Sequence, residues 1–337
     1  MESRAKSSSA QTDPSALPAS STAPASQSGR KRCYFILSTK SSGSSVLQRH
    51  LSGLTSARLP ETDHSENETL FFTKAASILG LPQERLVHSE APFSPSKAKR
   101  SLQQFLSQNL GEWNDSVRTE ADAFRAWSAV VRSGPGDVVE KSPHHLYQES
   151  VIQLMERYAD SERDIDVHFI GLIRNPLATL YSSWRRFGMR PAQEERHWIR
   201  AYQNLLRLAE RRPDRVTIIR YEELVTDPER LASLIGIQGP LASTEKLHSK
   251  SLERWRQDRR FRHHLSDEAI RVAQQFGYRR EDLDNEHAPG WTLRNEGRAL
   301  AWDILFALPG RSRIIVQTHL SRVMKSARSL WGGVISS

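Results

Sequence analysis

The sequence predicts an α/β protein of three layers, in which an open parallel sheet is flanked by helices. Short apolar runs rich in β-branched residues recur along the chain, and amphipathic stretches long enough for helices lie between them. A serine-rich loop with a single glycine follows the first apolar run. Open parallel sheets bind their ligands at the carboxyl ends of strands, so this loop is the first candidate for a binding site.

The predicted strands are contiguously apolar rather than alternating, as expected for strands covered on both faces of a sheet. They span residues 33–38, 85–88, 137–139, 167–173 and 215–220. The clearest helical stretch is residues 194–212. There Trp198, Tyr202, Leu205 and Ala209 share one face of a helix that is otherwise basic.

Charge and cysteine content narrow the possible partners and location. The 337 residues carry a net charge of +9, which indicates an anionic partner: nucleic acid, a membrane surface, or a phosphorylated or sulfated ligand. Cys33 is the only cysteine, which excludes an intramolecular disulfide and a cysteine-based zinc site. No apolar run approaches the roughly 20 residues of a membrane helix. These features favour a cytoplasmic location.

Composition divides the chain into three segments. Residues 1–29 are rich in serine, alanine and proline and predict a disordered tail. The tail lacks the apolar core of a secretory signal, although its serine content is compatible with a plastid-type transit segment. Residues 30–287 form the predicted domain. Residues 288–337 predict a basic helical extension that could contact an anionic membrane or a second subunit.

The loop after the first strand has the composition of an anion-binding site. In "CYFILSTKSSGSSVLQRHL", residues 33–51, small residues around Gly43 allow several backbone N–H groups to point at one anion. The hydroxyls of Ser44 and Ser45 add donors. A nucleoside-triphosphate loop places its lysine after the last glycine, whereas Lys40 precedes Gly43, so that interpretation fails. The loop alone is equally compatible with an ordinary turn.

A second strand–helix junction offers a guanidinium and a hydroxyl. In "VHFIGLIRNPLATLYSSWRRF", residues 167–187, Arg174 ends a buried strand and Ser182 lies eight residues later on the following helix. The two side chains could hold one phosphate from two sides. The alternative is that Arg174 pairs with an acid and merely closes the end of the sheet.

Together, "TKSSGSS" and "IRNPLATLYS" resemble the two nucleotide-binding motifs of sulfotransferases that use 3′-phosphoadenosine 5′-phosphosulfate (PAPS). The resemblance covers residues 33–280 and implies a fold like that of the P-loop NTPases, with PAPS as donor and no metal. It implies that the 5′-phosphosulfate is held by Lys40, Ser41, Ser42, Gly43, Ser44 and Ser45. It also implies that Arg174 and Ser182 hold the 3′-phosphate, and it places Lys250 or Arg254 over the nucleotide.

The loop departs from the family pattern at one position. The basic residue of the family stands immediately before Ser-Gly, whereas here Ser41 occupies that place and Lys40 is one residue further back. Either the loop bulges by one residue or Lys40 reaches the donor from a different angle.

Two further stretches supply candidate catalytic residues through the same resemblance. "HSENETLFF" is similar to an acid-x-x-Phe-Phe stretch of the carbohydrate branch, which implies that Glu68 is the base, with Glu66 and His64 as substitutes. "DVVEKSPHHLY" resembles the lysine-[ST]-Pro segment and implies that Lys141 faces the sulfuryl group. His144 is the weaker candidate base. The alternatives are a surface helix start for Glu68 and a solvated strand end for Lys141.

The predicted function is sulfuryl transfer from PAPS to a hydroxyl or amine of a saccharide or glycolipid. The adjacent histidine pairs His144-His145 and His263-His264 point apart on regular structure, so no metal site is expected. Two alternatives remain at this stage. A nucleotide kinase would need magnesium and ATP, and a non-catalytic protein could bind an anionic polymer through clustered arginines. Nucleic acid is the less favoured partner.

Overall fold

A computed structural model describes residues 30–86, 89, 91–236 and 252–287, together with Gly297, Leu300 and Ile304. The predicted tail, Lys250 and nearly all of the predicted C-terminal extension lie outside the described residues. No helix in the described part of the chain is long and apolar enough to cross a membrane.

Four parallel strands form the sheet, which confirms the predicted α/β class. In chain order they are β1 (Lys31–Leu37), β2 (Val138–Lys141), β3 (Ile165–Ile173) and β4 (Val216–Arg220). Their spatial order is β2-β1-β3-β4. The chain leaves β1 toward one side to form β2 and returns on the other side to form β3. The carboxyl end of β1 is therefore the point where a ligand crevice opens in such a sheet.

Helices cover both faces of the sheet. In chain order they are α1 (Ser44–Thr55), α2 (Phe71–Ile78), α3 (Pro95–Leu110), α4 (Glu120–Arg132), α5 (Glu149–Ser161), α6 (Pro176–Phe187), α7 (Pro191–Arg211), α8 (Tyr221–Thr226), α9 (Glu229–Leu234), α10 (Arg254–Gln257) and α11 (Asp267–Gln275). In the described residues, short 3₁₀ helices span Pro143–His145 and Arg280–Leu283.

Alternate residues of β1 enter two separate cores, which confirms the three-layer arrangement. Phe35 lies on one face, among the side chains of α2, α4, α5 and α7. Tyr34 and Ile36 lie on the other face with residues of α1, α8 and α9. The predicted apolar face of α7 is also confirmed, since Trp198 and Tyr202 are both almost fully buried.

The predicted strand at residues 85–88 is wrong for the half that the structure describes. Arg85 and Leu86 lie in a loop, and residues 87–88 lie outside the described part. Leu86 is nevertheless buried against the core that contains Phe35. Its apolar character therefore reflects a loop that packs on the core rather than a strand that pairs in the sheet.

Candidate active site

The carboxyl ends of the four strands supply most of the candidate site. The loop with Gly43 follows β1, Lys141 is the last residue of β2, Arg174 follows β3, and Tyr221 follows β4. Because the strands are parallel, these residues meet at one edge of the sheet.

Gly43 is required by its conformation and by a close neighbour. It precedes α1 with a φ of 94°, in the left-handed region that favours glycine. A Cβ at this position would overlap the ring of Tyr221. The loop therefore presents bare backbone between the ring of Tyr221 and the amino terminus of α1, which is the arrangement of an anion cradle.

Three of the predicted loop hydroxyls, those of Ser41, Ser42 and Ser45, already have partners. The hydroxyl of Ser42 lies 2.6 Å from the Thr39 hydroxyl and 3.3 Å from that of Tyr202, and it donates to the Thr39 carbonyl at 2.7 Å. Ser42 is fully buried, so its side chain shapes the loop and only its backbone is placed for a ligand. Ser45 Oγ donates to Glu66 Oε2 at 3.4 Å, and Ser44 is the buried first residue of α1.

Ser41, the residue between Lys40 and Ser42, links this loop to the second motif. It has a φ of 65°, in the left-handed region, and its carbonyl lies against Arg174. Arg174 Nη1 donates to that carbonyl at 3.2 Å, and Ser183 Oγ donates to Ser41 Oγ at 3.1 Å. The two predicted binding motifs thus lie in direct contact. The guanidinium of Arg174 also lies 4.9 Å from the ring centre of Tyr221.

Lys40 lies on the inner side of this loop. Its backbone N–H donates to the hydroxyl of Tyr147 at 3.0 Å. Burial lowers the pKa of Lys40, and the opposing carboxylates of Glu194 and Glu68 limit the decrease. Lys40 is therefore a partly dehydrated cation between two acids, a suitable position for a group that later faces an anionic donor.

Ser182 lies on α6, where sequence reasoning placed it. The helix begins after Asn175, whose Oδ1 accepts from the backbone N–H of Ala178 at 3.3 Å. Ser182 is half-buried. Its neighbour Ser183 makes the bond to Ser41, so α6 touches the loop directly.

Glu68, Lys141 and His144 form a cluster beside the loop. Lys141 Nζ lies 3.3 Å from Glu68 Oε1 and donates to the carbonyl of Glu66 at 2.6 Å. His144 Nδ1 lies 3.6 Å from Glu68 Oε2. All three side chains of the cluster are buried. The surface alternatives for Glu68 and Lys141 are therefore wrong.

Charges within this cluster control two protonation states. Burial alone would raise the pKa of Glu68, but the interaction with His144 and the positive charges of Lys141 and His144 bring it to about 2. Burial lowers the pKa of His144 to about 4, with Lys40 adding to the decrease. At neutral pH Glu68 is therefore ionised and His144 is neutral, so each can accept a proton.

The two substitute bases occupy outer positions. Glu66 pairs with the exposed Arg186 at 2.6 Å, and His64 Nδ1 accepts from the backbone N–H of Glu66 at 3.3 Å. Of the three acid or histidine candidates in "HSENE", Glu68 alone has its side chain against Lys141.

Comparisons with known proteins identify the family of this chain. The model of the sulfotransferase family matches residues 34–239, which is more than half of the chain. This chain belongs to the sulfotransferase family. A search of curated proteins gave no match.

Two solved structures similar to this sulfotransferase are themselves sulfotransferase domains. One is the domain from the curacin biosynthetic pathway, with 18% identity, a TM-score of 0.52, and coverage of 74% of this chain and 98% of that one. The other is the domain from the olefin synthase of Synechococcus PCC 7002, with 20% identity, a TM-score of 0.52, and coverage of 74% and 96%. At these identities the likeness shows a shared fold.

A cavity of about 200 Å³ lies beside Glu68 in this sulfotransferase. One wall is the segment before α2, with Thr62, Asp63 and Glu68, and the other wall is a polar face of α3 that includes Gln104 and Gln108. Both glutamine side chains donate to the carboxylate of Asp63, at 2.5 and 2.6 Å. The cavity is lined by polar side chains and by the apolar Leu70, Phe93 and Phe105, and Glu68 is one of its lining residues.

Within the described residues of this sulfotransferase, no group of histidine, cysteine and acidic side chains could hold a metal ion. The side chains of the first histidine pair have different partners. His144 faces Glu68, whereas His145 faces Glu140. His144 and His145 are buried rather than on the surface.

Sequence reasoning missed several residues that position the site. Tyr147 and Tyr202 hold the Gly43 loop, and Glu194, from the first turn of α7, faces Lys40. Glu140 was also missed, although strand alternation next to Lys141 was a usable signal, because neighbours in a strand point to opposite faces. No local pattern marks Glu194 or Tyr202, since both come from a distant helix.

Proposed function

We propose that this sulfotransferase moves a sulfuryl group from PAPS to a hydroxyl or amine of an acceptor of carbohydrate or glycolipid type. Backbone N–H groups around Gly43, with Lys40 and the hydroxyls of Ser44 and Ser45, bind the 5′-phosphosulfate. Arg174 and Ser182 bind the 3′-phosphate. A cytoplasmic location belongs to the same proposal and is supported by a single, buried cysteine.

One observation carries the donor assignment. Arg174 donates to the carbonyl of Ser41, so the guanidinium and the Gly43 cradle adjoin instead of lying on separate faces. The two phosphate groups of PAPS are carried by one ribose, so their binding groups must be neighbours. The left-handed backbone of Gly43 at the amino terminus of α1 supports the same assignment, because N–H groups at the start of a helix bind anions.

The transfer needs one proton acceptor and cations around the departing oxygen. The acceptor oxygen forms a bond to sulfur while the bond from sulfur to the bridging phosphate oxygen breaks, and the electron pair leaves with 3′-phosphoadenosine 5′-phosphate (PAP). The ammonium groups of Lys40 and Lys141 stabilise the charge on that oxygen and on the sulfuryl group. Two contacts of Lys141 are with Glu66 and Glu68, and an ammonium has three donors.

Glu68 takes the acceptor proton in this proposal. Burial would raise its pKa, but the interaction with His144 and the charge of Lys141 bring that pKa to about 2. An anionic donor against Lys40 and Lys141 offsets their charge and raises the proton affinity of Glu68 and of His144. Donor binding therefore makes Glu68 a stronger base. Before the donor binds, the lower proton affinity keeps Glu68 ionised.

The acceptor class is supported by the cavity beside Glu68. Amide, hydroxyl and carboxylate side chains line it, which suits a ligand with several hydroxyl groups. The nucleotide-kinase alternative has no support, since Ser44 stands where a triphosphate loop has lysine, and the family is that of sulfotransferases. The buried cluster of Glu68, Lys141 and His144 argues against a purely binding function.

Calorimetric titration with PAP tests the donor assignment. We expect Arg174→Ala to weaken PAP binding about 10- to 100-fold, the loss expected when a charged hydrogen bond to phosphate is removed. Arg157→Ala is the matched control, because Arg157 is an arginine of α5 that pairs with Glu120 on the surface. Equal PAP affinities for both variants and the wild type would contradict the assignment. A screen with radiolabelled PAPS across saccharides, glycolipids and phenols then identifies the acceptor.

A further inference from the structure

A second carboxylate–histidine pair lies directly behind the cluster of Glu68, Lys141 and His144. Glu140 and His145 are completely buried, and His145 Nε2 lies 3.4 Å from Glu140 Oε1. Nothing in the proposed reaction requires either residue to touch the donor or acceptor. A fully buried carboxylate is costly unless it is hydrogen-bonded, so its presence calls for a physical explanation.

The hydrogen bonds of Glu140 all lead toward Glu68. Thr69, the residue after Glu68, donates its hydroxyl to Glu140 Oε1 at 2.7 Å. The hydroxyl of Ser142 donates to the same oxygen at 2.5 Å and accepts from the backbone N–H of Leu70 at 2.9 Å. On the far side, His145 Nδ1 lies 2.8 Å from the Thr73 hydroxyl of α2. Glu140 thus ties the end of β2 to the segment that carries Glu68.

The backbone around Glu68 needs such a tie. Asn67 and Leu70 are not glycines, yet their φ values are 54° and 53°. Left-handed backbone at such residues costs on the order of 1 kcal/mol or more each and persists where the surroundings enforce it. Of these two strained positions, Leu70 is held by Ser142, and Ser142 is held by Glu140.

Chain alternation places the two pairs back to back. Glu140 and Lys141 are neighbours on β2, so their side chains lie on opposite faces. His144 and His145 are neighbours on a 3₁₀ helix, and they face Glu68 and Glu140 respectively. Each residue of the inner pair therefore adjoins a residue of the outer cluster. The pKa of Glu140 would rise through burial, but the charge of His145 and the donated hydrogen bonds bring it below its usual value, so Glu140 is an anion at neutral pH.

We infer that Glu140 and His145 form a buried positioning pair, which holds Glu68 against Lys141 and His144. This inference rests on the proposed roles of Glu68 and His144 in catalysis. Glu140 acts through Thr69 and Ser142, and touches neither donor nor acceptor. Loss of the Thr69 link frees the Glu68 side chain from His144 while leaving the Gly43 cradle unchanged.

The tautomer of His144 reports this position without any donor or acceptor. Glu68, Lys40, Lys141 and His145 are the charged or titratable groups that face or adjoin His144, and Glu68 is the group opposite Nδ1. With Glu68 held in place, its carboxylate lies 3.6 Å from Nδ1, and its negative charge favours the tautomer of neutral His144 that carries the proton on Nδ1. ¹⁵N NMR of histidine-labelled protein at pH 7 distinguishes the two tautomers, and a His144→Asn variant assigns the signal.

Thr69→Val is the main test, because valine keeps the shape of threonine and removes the hydroxyl. We expect the ratio of Nδ1–H to Nε2–H tautomer of His144 to fall about fivefold, the factor that loss of one hydrogen bond supplies. Thr69→Ser restores the hydroxyl and is expected to restore the ratio. Thr217→Val is the matched control, since Thr217 is a buried threonine of β4 whose hydroxyl lies 2.9 Å from His168.

Glu140→Gln gives an independent test if Thr69→Val folds poorly, because it keeps the side-chain shape and removes the charge. An unchanged His144 ratio in folded Thr69→Val or Glu140→Gln would overturn the inference, as would an Nε2–H tautomer in the wild type. PAP calorimetry on the same variants is expected to give the wild-type affinity. If the wild type does not bind PAP, the proposed function is refuted. The NMR result would still decide whether Glu140 and His145 hold Glu68 in position.

Discussion

Replacement of Gly43 by alanine tests the anion cradle most directly. Two separate costs act at this position. The φ of 94° lies in the left-handed region, where a side chain costs about 1–2 kcal/mol. The new Cβ would also overlap the Tyr221 ring, and overpacking costs typically about 1–3 kcal/mol. We therefore expect Gly43→Ala to lower the free energy of unfolding by about 2–5 kcal/mol.

Two control glycines separate these costs. Gly80 has a φ of 68° and open space where a Cβ would lie, so Gly80→Ala measures the conformational cost alone. At Gly171 φ is outside the left-handed region, and a Cβ would meet the side chain of Leu205, so Gly171→Ala measures crowding alone. The sum of these two losses predicts the loss in Gly43→Ala if the costs are additive.

Chemical denaturation supplies the unfolding free energies, and calorimetry supplies the PAP affinity. Gly43→Ala is expected to weaken PAP binding at least about tenfold, since a displaced Tyr221 ring or a shifted loop costs one or more phosphate contacts. Gly80 is exposed just after α2, so Gly80→Ala is expected to bind PAP normally. The reasoning would be refuted by a Gly43→Ala protein that binds PAP like the wild type and is no less stable than Gly80→Ala.

Three further predictions concern the base, the buried histidine and metals. Glu68→Gln should lower kcat about 10²- to 10⁴-fold with unchanged PAP affinity, as expected for loss of a general base; a kcat equal to that of the surface control Glu120→Gln would assign the base elsewhere. The pKa of His144 is lowered from 6.5 to about 4. Between these pH values the unfolded chain binds a proton at His144 and the folded chain does not. The unfolding free energy should therefore decrease as the pH is lowered from 6.5 to 4. Burial also lowers the pKa of His168 to about 4, so His144→Asn should make the decrease shallower without abolishing it, and an unaltered slope would show that His144 is not buried as a neutral group. Chelation by EDTA should leave sulfuryl transfer unchanged, whereas inhibition reversed by added magnesium would contradict a metal-free mechanism.

The sheet was predictable because its strands carry a local signal. Contiguous apolar runs identify β1, β3 and β4, and the same rule fails at Leu86, where burial comes from a loop. Periodicity cannot separate a buried strand from a short buried loop, since both remove apolar side chains from water.

The two strand–helix junctions that carry the proposed nucleotide motifs were predictable because each is contiguous in sequence. The partners that shape the site were not, because they arrive from other elements: Tyr202 from α7 contacts the Ser42 hydroxyl, and Ser183, next to Ser182, bonds to the loop. The bond from Arg174 to the Ser41 carbonyl likewise joins residues that are distant in sequence. Long-range contacts of this kind leave no local pattern.

The spatial order of the strands places the proposed catalytic Lys141 and the proposed donor-binding residues on different strands. β2, which delivers Lys141, is a four-residue strand at the margin of the sheet, whereas β1 and β3, which lead to the cradle and to Arg174, are interior. The outer edge of β2 is bonded at the bridge to Arg58 and so has fewer ladder bonds than β1 and β3, and such segments open first when a protein fluctuates. Under the proposed roles, opening of β2 would leave a form that binds the nucleotide but cannot transfer its sulfuryl group.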